Sequence, residues 1–152
     1  MSLKIYQNKR NFDKTPEPKG NVSTTAKKKI FVIQEHNATH LHWDLRLEME
    51  GVLKSWALPK EPPLEENIRR LAVPVEDHPL DYANFQGTIP EGEYGAGEVL
   101  LWDRGNYEPV SINEGKLIVK LYGEKLKGNY CLIKTRFRGK INWLFFKMKK
   151  SP

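Results

Sequence analysis

Residues 41–48 alternate strictly between apolar and polar side chains, and this alternation constrains the fold more than any other feature of the chain. Successive side chains of a β-strand point to opposite faces of a sheet, so the run predicts a strand with one apolar and one polar face. The apolar set is Leu41, Trp43, Leu45 and Leu47, and the polar set is His42, Asp44, Arg46 and Glu48. Such a strand holds His42, Asp44 and Arg46 side by side.

Short apolar or alternating runs recur from residue 30 onward, with Gly and Pro between them. They predict strands at 30–35, 41–49, 52–58, 71–75, 98–102, 116–122, 129–135 and 142–148. A short helical turn is expected at 64–69, and no long amphipathic helix is evident. With 152 residues, the chain suits one domain. The expected fold is mainly β: a small single-domain β-barrel with short helical turns and an extended N-terminal arm.

The first 29 residues differ in composition from the rest of the chain. They are polar, contain Pro16, Pro18 and Gly20, and end in three lysines at 27–29. We expect residues 1–29 to form an extended arm that is ordered only where it docks, and residues 30–152 to form the barrel domain.

Charge and cysteine content narrow the possible partners and compartment. The net charge is +6, which favours an acidic partner, with nucleic acid first. The single cysteine, Cys131, lies in an apolar run, so we expect it in the core and expect neither an internal disulfide nor a thiolate metal site. No run is long enough to span a membrane and no secretory signal is evident, so a cytoplasmic location without membrane association is expected.

Two histidines and one aspartate form a candidate metal site. Residues 37–39 resemble a turn, which would place His36 on a strand beside His42 and Asp44. Three mixed nitrogen and oxygen ligands with open positions suit a catalytic manganese, iron or zinc ion. His40 sits at the turn and is interpreted as a surface or supporting residue, not a ligand.

Further candidate residues lie outside this segment. His78 precedes Pro79 at a strand end, where it could donate a proton or contact phosphate, with Tyr82 as a second donor. The glycine-rich stretch 87–97 lacks the ending of a P-loop and is interpreted as a structural loop at the barrel rim. Basic residues near these motifs could bind backbone phosphates, whereas Trp56, Trp102 and Trp143 are expected in the core.

Two other functions fit parts of the pattern. A non-haem iron oxygenase would use His42 and Asp44 with a later histidine, which would be His78. A non-enzymatic barrel that binds single-stranded nucleic acid would need exposed aromatic residues on which bases stack.

Four motifs give the chain a family resemblance. They are Gln34-x-His36 followed by Leu41-His42-x-Asp44-x-Arg46, Ser55-Trp56-Ala-x-Pro59-Lys60, Glu76-Asp77-His78-Pro-x-Asp-Tyr82, and Gly87-x-Ile-Pro-x-Gly92-x-Tyr94-Gly. From about Tyr6 to its end, the chain resembles the 3′-phosphoesterase domain of bacterial end-joining DNA ligase D and its stand-alone bacterial and archaeal relatives.

The resemblance implies roles for individual residues. His36, His42 and Asp44 match the family's manganese ligands, although zinc or cobalt could also serve. His78, Arg46 and Tyr82 match its catalytic and phosphate-contacting positions. The substrate-binding positions are matched by Arg10, Glu17, Gln34, Lys60 and Arg70. Asn11 stands where the family usually has Asp, so we expect the arm to place substrate and not to bind metal.

The resemblance also implies an activity with two steps on DNA or RNA-ended DNA 3′ termini. A phosphodiesterase step removes a 3′-terminal ribonucleoside, and a phosphomonoesterase step then removes the remaining 3′-phosphate to leave a 3′-hydroxyl for DNA repair. The chain shows no lysine-centred ligase motif. We therefore expect a free-standing enzyme, with a separately encoded repair ligase or polymerase as candidate partner.

Overall fold

The computed structural model describes residues 3–20 and 29–149, and the strands between residues 29 and 147 form an antiparallel β-barrel. The strands are β1 (Lys29–Asn37), β2 (Leu41–Met49), β3 (Val52–Leu58), β4 (Arg69–His78), β5 (Gly87–Ile89), β6 (Gly97–Asn113), β7 (Lys116–Tyr122), β8 (Lys127–Phe137) and β9 (Lys140–Lys147). The helices are α1 (Lys4–Asn8) and a 3₁₀ helix, η1 (Leu80–Asn84). The order β1-β2-β3-β4-β9-β8-β7-β6 closes through pairing of β1 with β6, and β5 is an extra strand beside β6. The mainly β barrel fold is confirmed.

The barrel interior is an apolar core to which the alternating strands contribute every second residue. Trp43, Leu45 and Leu47 of β2 pack there with residues from the other strands of the closed barrel, including Trp56 and Trp143. Cys131 is buried, as expected. The even-numbered side chains of β2 therefore face outward, so His42, Asp44, Arg46 and Glu48 lie on the outer face of the barrel wall.

A second, smaller cluster covers that outer face. Tyr6 of α1 is fully buried against Val32 and Leu53, together with Tyr82 and Ala83 of η1. Residues 3–20 of the expected arm are therefore docked on the barrel, and the Tyr6 hydroxyl donates to the carbonyl of Pro18. Residues 1–2 and 21–28, including two of the three lysines at 27–29, lie outside the described residues. The domain boundary at 29/30 stays a prediction.

The main departures from the predicted elements are local. Residues 64–69 contain a bridge at Glu66 and a turn in which Asn67 has φ 68°, so the predicted helical turn there is wrong. A residue in the left-handed region at position 67 cannot continue a right-handed helical turn. Strand β6 extends to Asn113, well beyond the predicted 98–102, with register shifts in its pairing with both neighbours. Among the described residues, α1 and η1 are each five residues long, and no helix is long and apolar enough to cross a membrane.

The turn between β7 and β8 depends on one buried carboxylate. Asp103 accepts hydrogen bonds from the backbone N–H groups of Glu124, Lys125 and Leu126 at 2.8–3.2 Å. Gly123 passes so close that a β-carbon there would lie 2.4 Å from Oδ2 of Asp103. The carboxylate and the glycine together fix the chain as it leaves β7.

Replacing Asp103 with alanine is expected to lower the free energy of unfolding by about 2–5 kcal/mol, because three backbone N–H groups, that of Leu126 buried, lose their carboxylate acceptor. Urea denaturation would measure the change. Asp13→Ala is the matched control because Asp13 is exposed, and it should change stability by less than about 0.5 kcal/mol. A D103A protein as stable as D13A would show that the turn does not depend on this carboxylate.

Candidate active site

The β1–β2 hairpin assembles the metal-ligating side chains predicted from sequence. The register places His36 directly opposite His42 and Gln34 opposite Asp44. Paired residues of an antiparallel sheet share a face, as do residues two apart on one strand. The two imidazole rings consequently lie 4.7 Å apart, with Asp44 beside both of them.

The ligand atoms of these three residues converge. Nδ1 of His36 and Nε2 of His42 lie 3.6 and 3.2 Å from the same Asp44 oxygen, and the three ligand atoms are all within 4.8 Å of one another. The outer nitrogens face backbone carbonyls: His36 Nε2 donates to Gly95 at 2.7 Å and His42 Nδ1 donates to His40 at 3.2 Å. These contacts assign the tautomers and direct the inner nitrogens at Asp44, the arrangement that orients histidine ligands at metal sites. The cluster could hold a metal ion.

Charge at the cluster suits a cation. Burial alone would raise the pKa of Asp44, but the Arg46 guanidinium and the two imidazoles hold that pKa far below its usual range, so the carboxylate is ionised. The hydrogen bond to Asp44 raises the pKa of His42. A divalent ion would take the place of the proton between His42 and Asp44, since both groups offer lone pairs to the same point.

Arg46 lies behind the cluster as a buried cation with an unused donor. Its Nε donates to Gln34 at 2.7 Å, its Nη2 lies 3.5 Å from Asp44, and its guanidinium sits 4.9 Å from the Tyr82 ring centroid. Gln34 in turn donates to the carbonyls of Tyr82 and Phe85, which ties Arg46 to the 3₁₀ helix. The Nη1 of Arg46 is buried without a hydrogen-bond partner among the described residues. A buried donor of this kind is costly unless a ligand satisfies it.

The docked arm contributes Arg10 to the lining of the pocket. The buried carboxylate of Glu17 accepts from the Tyr82 hydroxyl at 2.7 Å, from Arg10 Nε at 2.9 Å and from the Thr15 hydroxyl at 2.9 Å. The Arg10 guanidinium also stacks 4.0 Å from the Tyr6 ring centroid. Glu17 therefore positions both Arg10 and Tyr82 without facing the pocket itself.

His78 is neutral in this structure. Its Nδ1 donates to the Glu76 carbonyl at 2.9 Å, so its Nε2 accepts from Arg10 Nη2 at 3.3 Å. Burial and the positive charges of Arg46 and Arg10 lower the pKa of His78 well below its usual value. Its imidazole lies outside the cluster of His36, His42 and Asp44. An oxygenase triad of His42, Asp44 and His78 would require His78 to be part of that cluster.

Most of the site residues predicted from sequence meet in one pocket. Its lining includes Arg10, His36, His42, Asp44, Arg46, His78 and Tyr82. Gln34 and Glu17 support this lining from behind. Lys60 and Arg70 do not line it: Lys60 is exposed, and Arg70 Nε donates to the Glu61 carbonyl at 2.7 Å. Their role in phosphate binding stays a prediction.

Sequence reasoning missed several residues of the pocket. Glu76 binds Arg10 and Lys9, while Tyr94 and Gly95 form part of the lining. Glu76 and Tyr94 fall within the four family motifs, but nothing in their local sequence distinguishes them from ordinary surface residues. At the family's usual Asp position, Asn11 accepts the Asp13 N–H with its side-chain oxygen, so here it stabilises a turn.

Fold and site together define a class: a small antiparallel barrel that carries, on its outer face, two histidines and an aspartate that could hold a metal ion, beside a buried arginine. Comparison with known proteins gives the family. The model of the DNA ligase D 3′-phosphoesterase domain matches residues 34–134. The chain is 48% identical over 97% of its length to the multifunctional non-homologous end joining protein LigD of Pseudomonas aeruginosa. It is 46% identical over 97% to that of Mycolicibacterium smegmatis and 44% identical over 98% to that of Mycobacterium bovis.

The chain therefore belongs to the DNA ligase D 3′-phosphoesterase domain family, as the resemblance indicated. It spans about a fifth of the length of these relatives, covering 18% of the first and 20% of the other two.

Proposed function

We propose that this protein is a metal-dependent phosphoesterase that processes the 3′ ends of nucleic acid strands for end-joining DNA repair. It would remove 3′-terminal ribonucleosides by phosphodiester cleavage and 3′-phosphates by phosphomonoester hydrolysis, leaving 3′-hydroxyl ends. One observation carries the proposal: buried Arg46, whose Nη1 has no hydrogen-bond partner among the described residues, lines the same pocket as the His36, His42 and Asp44 cluster. The family and the names of its relatives, which concern end joining, support it.

A divalent ion held by His36, His42 and Asp44 would neutralise phosphate oxygens and act as a Lewis acid. Manganese is the proposed native ion, and zinc or cobalt would also suit two imidazoles and a carboxylate. Magnesium is a poor match because it prefers oxygen ligands and water.

The chain's own residues would bind and orient the phosphate. Arg46 would donate Nη1–H to a phosphate oxygen while Gln34 and Tyr82 hold its plane in place. Arg10 reaches the pocket from the arm beside His78 and would add positive charge at the phosphate. His78 would then donate a proton to the leaving oxygen or contact the phosphate directly.

Two labelled DNA strands test the function, one ending in a 3′-phosphate and the other in a single 3′-ribonucleotide. Each is incubated with the protein in chelator and then with manganese, zinc, cobalt or magnesium. We expect no product in chelator and the fastest release with manganese. Strands that stay intact with every metal would reject the proposal, and full activity in chelator would reject the metal site.

Arg46→Lys is expected to lower kcat/KM on the 3′-phosphate strand by about 10²-fold, since an ammonium keeps the charge but cannot reproduce the planar pair of donors. Manganese affinity, measured by calorimetry, should change little, because Arg46 is not a ligand. Arg104→Lys is the matched control: Arg104 is exposed and donates to Asn84 of η1. Equal activities of the two variants would show that the guanidinium does not bind the phosphate.

A further inference from the structure

Tyr94 is a large aromatic side chain that lines the pocket and yet remains half exposed. It is 49% exposed, whereas Tyr6 and Tyr82, the other tyrosines close to the pocket, are buried. No function described above uses it. Tyr94 therefore offers an accessible aromatic face at the edge of the pocket.

The turn that carries Tyr94 is held in a fixed position. The N–H of Glu93 donates to Pro90 and the N–H of Ala96 donates to Glu93, at 3.2 and 3.1 Å. Gly95 has φ 77°, a conformation that favours glycine, and its carbonyl accepts from His36 Nε2. The residue next to Tyr94 thus accepts the hydrogen bond that orients His36, which links the turn to the cluster.

Two cationic side chains of the arm pack against the Tyr94 ring. Lys9 Nζ lies 4.6 Å from the ring centroid and 3.3 Å from the hydroxyl, and Arg10 Cζ lies 5.4 Å from the centroid. Lys9 is itself paired with Glu76 at 3.5 Å. Such contacts restrict the ring before any ligand arrives, which reduces the entropy cost of stacking.

We propose that Tyr94 is the stacking platform for the base of the 3′-terminal nucleotide, and that this contact places the terminal phosphate beside the cluster. The inference rests on the proposed function and adds the face of the last base to the groups of the substrate that the protein contacts. An aromatic ring stacks on any base, so the platform recognises an end without reading its sequence.

The test measures stacking directly, in chelator, so that no turnover occurs. A DNA strand carries 2-aminopurine as its last nucleotide, a 3′-phosphate and a 5′ dye whose anisotropy reports binding. Stacking of 2-aminopurine on an aromatic ring quenches its fluorescence. Wild-type protein and Tyr94→Phe should quench it, whereas Tyr94→Ala should not quench at saturation and should bind about five- to a hundredfold more weakly.

Tyr122→Ala is the matched control, because Tyr122 is 46% exposed and also lies under a lysine, Lys120 at 5.5 Å, but does not line the pocket. Tyr122→Ala should bind the strand and quench its fluorescence as the wild-type protein does.

On a strand with an abasic 3′ end, the wild-type protein and Y94A should bind equally. Quenching by saturated Y94A, equal losses on abasic and normal ends, or failure of wild type to quench at any concentration would each overturn the assignment. Quenching by a wild type that leaves 3′-phosphates intact with every metal would instead reject the phosphoesterase function and keep the platform.

Discussion

The His42→Ala variant is expected to lose metal binding. Its rate of 3′-phosphate release should be lower than that of the wild-type protein by a factor on the order of 10³ or more. The size follows from the metal's proposed part, because neutralising charge on a reacting phosphate is worth several kcal/mol of barrier. His42 supplies one of only three side-chain ligand atoms in the cluster. Its removal leaves His36 and Asp44, and two ligands hold a divalent ion weakly.

Manganese titration by calorimetry and rates on the 3′-phosphate strand would measure both effects. His40→Ala is the matched control, since His40 is exposed, lies two residues away and contributes only its backbone carbonyl to the site. H40A should keep its metal affinity and its rate. An H42A protein that binds manganese normally would place the metal elsewhere, and one that binds it weakly but reacts at the normal rate would separate the chemistry from the cluster.

Three strands could be predicted from the sequence because both of their faces carry strong signals. β2, β3 and β7 were predicted to the residue, and alternation assigned each side chain of β2 to its face. By contrast, β6 has 17 residues and bends where its pairing shifts, and alternation is lost at such bulges. The pattern therefore showed only the first five or so residues of β6.

Burial of the polar face could not be predicted from its own strand. Residues 43–48 are all buried, whereas an alternating strand suggests one face in water. The cover comes from α1 and η1, which are too short to show a helical period and are brought to β2 by long-range contacts. The coupling of Glu17 to Tyr82 spans 65 positions, so no local pattern could indicate it.

Whether His78 can act as a proton donor depends on its protonation state. The group is neutral in the free protein, with its Nε2 lone pair facing Arg10 and its pKa lowered by burial, Arg46 and Arg10. A proton donor must carry a proton at Nε2. A doubly charged phosphate bound between Arg46 and Arg10 would offset their charges and raise the pKa of His78 in the complex. His78 would then take up its proton as the substrate binds.

The sign of the pH dependence follows from this order of events. An acid that must be protonated is lost as pH rises through its pKa. Since kcat/KM reports the free enzyme, in which the pKa of His78 is well below its usual value, kcat/KM should already fall about tenfold per pH unit above neutrality. The parameter kcat reports the complex and should stay level to a higher pH. Binding of inorganic phosphate should take up protons, which calorimetry in buffers of different ionisation enthalpy would detect.

His78→Ala is expected to lower the rate by on the order of 10²–10⁴-fold if His78 is the acid, and to remove the alkaline fall of kcat/KM. The loss should shrink on a diester with a good leaving group, because such a group departs without needing a proton. Manganese affinity should scarcely change, since His78 lies outside the cluster.

Equal losses of rate on substrates with good and poor leaving groups, with the alkaline fall of kcat/KM retained, would make His78 a phosphate contact and not the acid. A large drop in manganese affinity would contradict both roles and make His78 a metal ligand, the arrangement of an oxygenase triad.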